Sequence, residues 1–126
     1  MKKIVILLLL LVSSVFAQVE WGDMFDAYDD ARESNKVVMV MLSREGCPGC
    51  EYMKSVVFED KVVSKLLKEG FISVELDVQQ DFVPENLEYF ATPTFYFLDA
   101  DEKILKRVNG GEKVKKFIKT LEAVRE

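Results

Sequence analysis

Residues 37–57 read VVMVMLSREGCPGCEYMKSVV, and this stretch decides the fold. Val37 to Leu42 is apolar without interruption and partly β-branched. It is too short for a helix ahead of the turn signals that follow, so it reads as a buried central strand. Ser43 to Gly46 is a polar turn. Pro48 suits the first position of a helix, where its missing N–H costs nothing, and a helix is expected over Pro48 to Val57. The only two cysteines of the chain, Cys47 and Cys50, therefore fall at a strand-to-helix junction.

That placement has a chemical use. The first thiol sits where free N–H groups and the helix dipole favour an anion. Thiolate is the attacking species, so a lowered pKa would make Cys47 reactive near neutral pH. Cys50, one turn in, can close on Cys47 and resolve a mixed disulfide with a partner. The reading is Cys47 as nucleophile and Cys50 as resolver. A purely structural disulfide is the plain alternative. By loop entropy, a four-residue loop stabilises by about 2 kcal/mol, against about 4.7 kcal/mol for a 100-residue loop. Metal binding is another. The chain has no histidine, so two thiolates are two ligands short of a closed zinc site. A linear Cu(I) site suits soft thiolates, with Met39, Met41 and Met53 as thioether candidates. Met39 and Met41 lie inside the buried-strand pattern, where core packing is their simpler role. No metal site or cofactor is assigned.

Working outward, Trp21 to Asn35 is expected to be helical, with Trp21, Phe25, Tyr28 and Ala31 at three- and four-residue spacing. Asp60 can cap a segment over Lys61 to Glu69, whose apolar face is Val62, Val63, Leu66 and Leu67, and Gly70 stops it. Phe71 to Val78 reads as a strand. Pro84 to Phe90 reads as a short helix. Thr94 to Leu98 and Lys103 to Val108 read as strands joined by the turn Asp99 to Glu102, an antiparallel hairpin. Gly110-Gly111 breaks the chain before an amphipathic helix over Glu112 to Arg125, with Val114, Phe117, Ile118 and Leu121 inward. The order α-β-α-α-β-α-β-β-α predicts an α/β fold: a right-handed parallel unit and a hairpin in a four-stranded mixed β-sheet, with helices on both faces.

The N-terminus is excluded from that fold. Lys2 and Lys3, the apolar run Ile4 to Val12, and Val15 and Ala17 at the minus-three and minus-one positions form a signal-peptide pattern. Residues 1–17 are expected to be a signal peptide cut after Ala17, and 18–126 a single domain, periplasmic or secreted. An apolar run this short does not span roughly 30 Å of hydrocarbon as a helix. Residues 18–126 carry 15 basic against 22 acidic side chains. That excess of negative charge argues against a nucleic-acid partner or a polybasic membrane patch. Without histidine, Ser-His and Cys-His dyads are excluded as well. Export makes the oxidised state of the cysteines chemically available.

Thr92-Pro93 adds weight. X-Pro bonds are the usual site of cis peptides. A cis bond here would set the backbone of Thr92 beside Cys47, free to pair with an extended substrate segment. A trans proline opening an edge strand is the ordinary alternative.

Taken in order, these residues resemble exported thioredoxin-like proteins. The likeness rests on Gly46-Cys47-Pro48-Gly49-Cys50, Phe58-Glu59-Asp60, Glu75-Leu76-Asp77-Val78 and Ala91-Thr92-Pro93-Thr94-Phe95, and covers essentially all of residues 18–126. It is closest to the group holding the C-terminal domain of the disulfide-interchange protein DsbD and the SoxW-type thioredoxins. The resemblance implies a thioredoxin fold, Cys47 as exposed nucleophile, Cys50 as buried resolver, Pro93 as a cis proline, and Thr92 as a substrate-pairing backbone position. Gly110 would leave room for substrate. The sequence also departs from thioredoxin proper. Pro48-Gly49 replaces Gly-Pro between the cysteines, and Met41 stands where a buried acid usually takes the resolver's proton. Arg44 and Glu45 have opposing effects on a nearby thiolate and read as a solvated turn.

The leading functional expectation is an exported thiol–disulfide oxidoreductase that reduces protein disulfides and is recharged by a membrane electron donor of the DsbD or CcdA type. Pro48 after Cys47 motivates a disulfide-forming oxidase as the alternative. A non-enzymatic binding or copper-carrying module is the reading from another class. The acidic surface favours a monomer.

Overall fold

A computed structural model of the chain describes residues 19–126. The signal peptide expected over residues 1–17, with its expected cleavage after Ala17, lies outside the described residues.

Helix α1 runs over Met24–Ser34, strand β1 over Val37–Ser43, helix α2 over Pro48–Tyr52, and a π-helical turn over Met53–Val57 continues α2. Helix α3 (Lys61–Gly70), strands β2 (Phe71–Asp77), β3 (Thr94–Leu98) and β4 (Ile104–Asn109), and helix α4 (Val114–Arg125) follow. The four strands form one sheet in the order β2-β1-β3-β4. β1 is parallel to β2 and antiparallel to β3. β3 and β4 make the expected antiparallel hairpin.

β1 is buried along its whole length because both faces of the sheet are covered. Its side chains alternate between the faces. Val38, Val40 and Leu42 pack with Ala27 and Ala31 of α1, Val74 and Leu76 of β2, and Tyr96 and Leu98 of β3. Met39 and Met41 face the opposite core, with Val63, Leu67, Phe117 and Leu121 from α3 and α4 and with both cysteines. Phe58, Phe95 and Phe117 lie within this second core, with ring centroids 5.4–6.3 Å apart in tilted or edge-on pairs, the geometry aromatic quadrupoles favour.

Local chemistry explains the element ends. Asp60 caps α3, its carboxylate accepting from the N–H groups of Val62 and Val63 at 2.9 and 3.0 Å. Asp99 accepts from Asp101 and Lys103 N–H in the hairpin turn.

Some expectations are corrected. α1 starts at Met24 and not at Trp21, because Asp23 caps it through Phe25 N–H. Trp21 instead forms a parallel bridge to Ser73 on the outer edge of β2, and its ring meets Phe58 edge-on at 5.6 Å. The buried face of α1 is Ala27 and Ala31, whereas Phe25 is 90 % exposed; small residues let the helix lie close on the sheet. Val62 is exposed on α3. Gly70 is the last helical residue of α3, and extended Phe71 ends the helix by entering β2. Residues 84–90 do not form a helix. They hold a single turn, Leu87 N–H to Pro84 O at 3.0 Å, and drop only Leu87 into the core while Tyr89 and Phe90 stay outside. With one apolar anchor there is no stripe to hold a helix against the sheet.

The two edges of the sheet differ. The 21–22 segment lies along β2, with Gly22 N–H donating to Ser73 O at 2.7 Å. β4 forms the other edge and carries Lys106 and Arg107.

Candidate active site

The site sits where β1 hands over to α2. Cys47 is the N-cap of α2, with an extended backbone, and its Sγ accepts from Cys50 N–H at 3.2 Å. Its carbonyl accepts from Glu51 N–H at 3.1 Å. Pro48 occupies the first helical position, where no N–H is needed. Cys47 and Cys50 are joined as a disulfide with Cα atoms 5.3 Å apart. Cys47 is 2 % exposed and Cys50 1 %. The exposed nucleophile implied by the family resemblance is therefore not exposed in this oxidised form. Its sulfur is bonded to Cys50 and turned into the first helical turn.

Two distant segments converge on this turn. The Thr92–Pro93 peptide is cis, and Pro93 is buried. The Pro93 ring lies against Gly49 so closely that a Cβ there would stand 3.0 Å from Pro93 Cδ. A side chain at position 49 would therefore need Pro93 to give way by a few tenths of an ångström, a constraint the sequence does not display. Arg44 Nε donates to Thr92 Oγ1 at 3.1 Å, so the side chain read as merely solvated ties the turn before Cys47 to the proline loop. Gly110 adopts a left-handed backbone at φ 85°, which suits glycine. It donates its N–H to Pro93 O at 2.8 Å, and space beside it is open. Cys47, Pro48, Gly49, Cys50, Thr92, Pro93 and Gly110 thus belong to one assembly.

One contact of that assembly escapes sequence reasoning, and one buried residue stands where the sequence places it. Met53 Sδ accepts from Glu112 N–H at 3.4 Å, which fixes the start of the α4 segment to the helix carrying Cys50. Met41 is fully buried beneath the cysteines with Met39, so no acid occupies that position of β1. Glu45 is exposed.

The model of the family described as thioredoxin-like domain matches residues 24–125. This chain belongs to that family. Its Cys47–Cys50 pair is a C-x-x-C disulfide. Thioredoxin H4 of Arabidopsis thaliana is 31 % identical over 84 residues, covering 67 % of this chain and 69 % of that protein. Human Spermatogenesis-associated protein 20 is 32 % identical over 60 residues, which is 48 % of this chain but only 7 % of that longer protein. Among solved structures, a thioredoxin from Thermus thermophilus superposes with a TM-score of 0.72 and 28 % identity, over 85 % of this chain and 87 % of that one. The C-terminal domain of Neisseria meningitidis DsbD shares the fold, at a TM-score of 0.61 and 18 % identity over 76 % of this chain and 88 % of that one.

Proposed function

We propose that this thioredoxin-like protein is an exported, monomeric reductase of protein disulfides. The observation that carries the reading is the Cys47–Cys50 disulfide in the first turn of α2, with the Thr92-Pro93 loop packed against Gly49. In the reduced protein, Cys47 thiolate attacks one sulfur of a substrate disulfide. The electron pair of the broken bond leaves on the other substrate sulfur, giving a mixed disulfide. Cys50 thiolate then attacks Cys47 Sγ, closing the Cys47–Cys50 bond and expelling the second substrate sulfur as a thiolate. Two electrons pass to the substrate, and the protein ends in the disulfide state. An extended substrate segment pairs with the Thr92 backbone, and the open space at Gly110 admits it. A membrane donor of the DsbD or CcdA type returns the two electrons.

The basic, apolar and small-residue pattern of residues 1–17 supports export. The excess of acidic side chains supports a monomer. The likeness to SoxW-type thioredoxins and to the DsbD C-terminal domain supports the membrane donor.

The direction of electron flow is tested by equilibrating the pair against glutathione and dithiothreitol buffers. A pair that stays oxidised until dithiothreitol is added is the result expected of a reductase. Ready reduction by glutathione would overturn that direction in favour of an oxidase, the reading that Pro48 motivates.

A further inference from the structure

The turn before Cys47 carries one cation, Arg44, whose surroundings set it apart from the other arginines of the described residues. Arg32 is paired with Asp29 and Asp101. Arg107 lies over the Phe90 and Tyr96 rings, and Arg125 Nη1 donates to Asn35 O. Arg44 is exposed, and among the described residues no carboxylate comes within ion-pair distance of it. Asp77 and Asp81, at the end of β2, accept N–H groups of their own turn. Arg44 reaches the other way, to the loop that leads into β3.

Its Nε holds it there, donating to Thr92 Oγ1 at 3.1 Å. That bond uses one guanidinium donor and leaves both Nη groups without a protein partner among the described residues. Those groups form the fork that can take a carboxylate in two parallel bonds. Thr92 makes no backbone hydrogen bond among the described residues, so its peptide groups are open to an extended segment. A guanidinium tied to the side chain of that residue stands at the flank of whatever pairs with its backbone.

We propose that Arg44 is a specificity residue that selects client segments carrying a carboxylate beside the disulfide-bonded cysteine. Its fork binds that carboxylate while the segment pairs with Thr92. The inference rests on the thiol-exchange reading above and adds the substrate class. Residues 18–126 carry 15 basic against 22 acidic side chains, a long-range field that disfavours acidic clients. One aimed cation therefore gives a local preference opposite in sign to that field.

The test gives the reduced protein three extended peptides. Each has one cysteine as its uncharged thiopyridyl disulfide, flanked on both sides by Asp, Asn or Lys. Cys47 thiolate attacks the peptide sulfur, and thiopyridine leaves with the electron pair and takes a proton from water. Cys50 thiolate then attacks Cys47 Sγ and expels the peptide as a thiolate. The second-order rate constant of thiopyridine release is compared across the peptides. Wild type should favour the Asp peptide over the Lys peptide about fivefold at low salt, the upper end for an exposed ion pair. That ratio should fall as salt is raised. Arg44→Gln should abolish or reverse it while the Asn peptide stays within about twofold of wild type. Arg44→Lys should keep part of the preference. A wild type that favours the Lys peptide, with the difference shrinking as salt rises, would leave net charge in command and overturn the proposal. Equal slowing of all three peptides in Arg44→Gln would also overturn it, because Arg44 would then only brace the proline loop. The salt series needs no variant, and it decides if Arg44→Gln does not fold. A wild type that releases no thiopyridine from the Asn peptide would overturn the thiol-exchange reading itself, a failure separate from any loss of preference.

Discussion

Two segments meet at the active site and are built in opposite ways. Residues 43–57 are held by local chemistry: Cys47 caps its own helix, Pro48 opens it, and the turn follows directly from a buried strand. Residues 78–93 form no regular element before β3 and are held by tertiary contacts. Tyr96 Oη donates to Glu88 O at 2.7 Å, Thr94 Oγ1 donates to Ala91 O at 2.7 Å, and Leu87 is buried. The Arg107 guanidinium lies over the rings of both Phe90 and Tyr96. The reacting atoms sit on the self-sufficient segment. The loop that faces them is positioned by the rest of the fold, so its placement reports on the integrity of the whole molecule.

This contrast can be broken experimentally. The largest effect is expected from Cys47→Ser, which should lose insulin reduction entirely while its thermal unfolding stays close to that of the reduced wild type. Activity equal to wild type would remove the first segment from the chemistry. Cys50→Ser should still attack but accumulate mixed disulfides, visible on non-reducing gels.

Leu87→Ala comes next. It empties a core position that anchors the second segment and should cost about 2–5 kcal/mol in urea unfolding. KM for insulin should rise more than kcat falls, because the proline loop loosens while the cysteine turn stays intact. A loss confined to kcat would mean that the two segments are not separately supported.

Gly49→Ala attacks the seam between them. The added methyl would meet Pro93 Cδ at 3.0 Å, and overpacking of this kind costs about 1–3 kcal/mol. Reduced insulin turnover should accompany the stability loss. Unchanged turnover and stability would show that Pro93 yields freely.

Tyr96→Phe is the mildest probe. It removes one hydrogen bond to Glu88 O and should cost about 1 kcal/mol, measured by the same urea titration. No change would shift the anchoring role to Leu87 and Arg107.

The same contrast explains what was legible in the sequence. β1, the helix opened by Pro48, the Asp60 cap, the β3–β4 hairpin and α4 are announced by residues adjacent in the chain, and the cysteine pair falls among them. The proline loop was legible as Thr92-Pro93 but not in its surroundings. Arg44 and Thr92 are 48 residues apart in sequence, and nothing local announces their hydrogen bond. Nor does any pattern reveal that Pro93 packs against Gly49. In residues 84–90 a proline followed by apolar and acidic residues imitates a helix start, whereas only Leu87 finds a place in the core. Trp21 and Phe25 mislead for a related reason. Large aromatics at helical spacing dominate a pattern even when alanines make the contact.

The unequal edges of the sheet have a consequence of another kind. A bare strand ladder is a template on which another chain can add a strand, and open edges are where aggregates nucleate. Here the 21–22 segment covers part of the β2 edge, and Lys106 and Arg107 place charge on β4. One edge is partly covered by the chain's own backbone and the other carries like charge, so both are poorer templates for edge-to-edge pairing than bare strands would be.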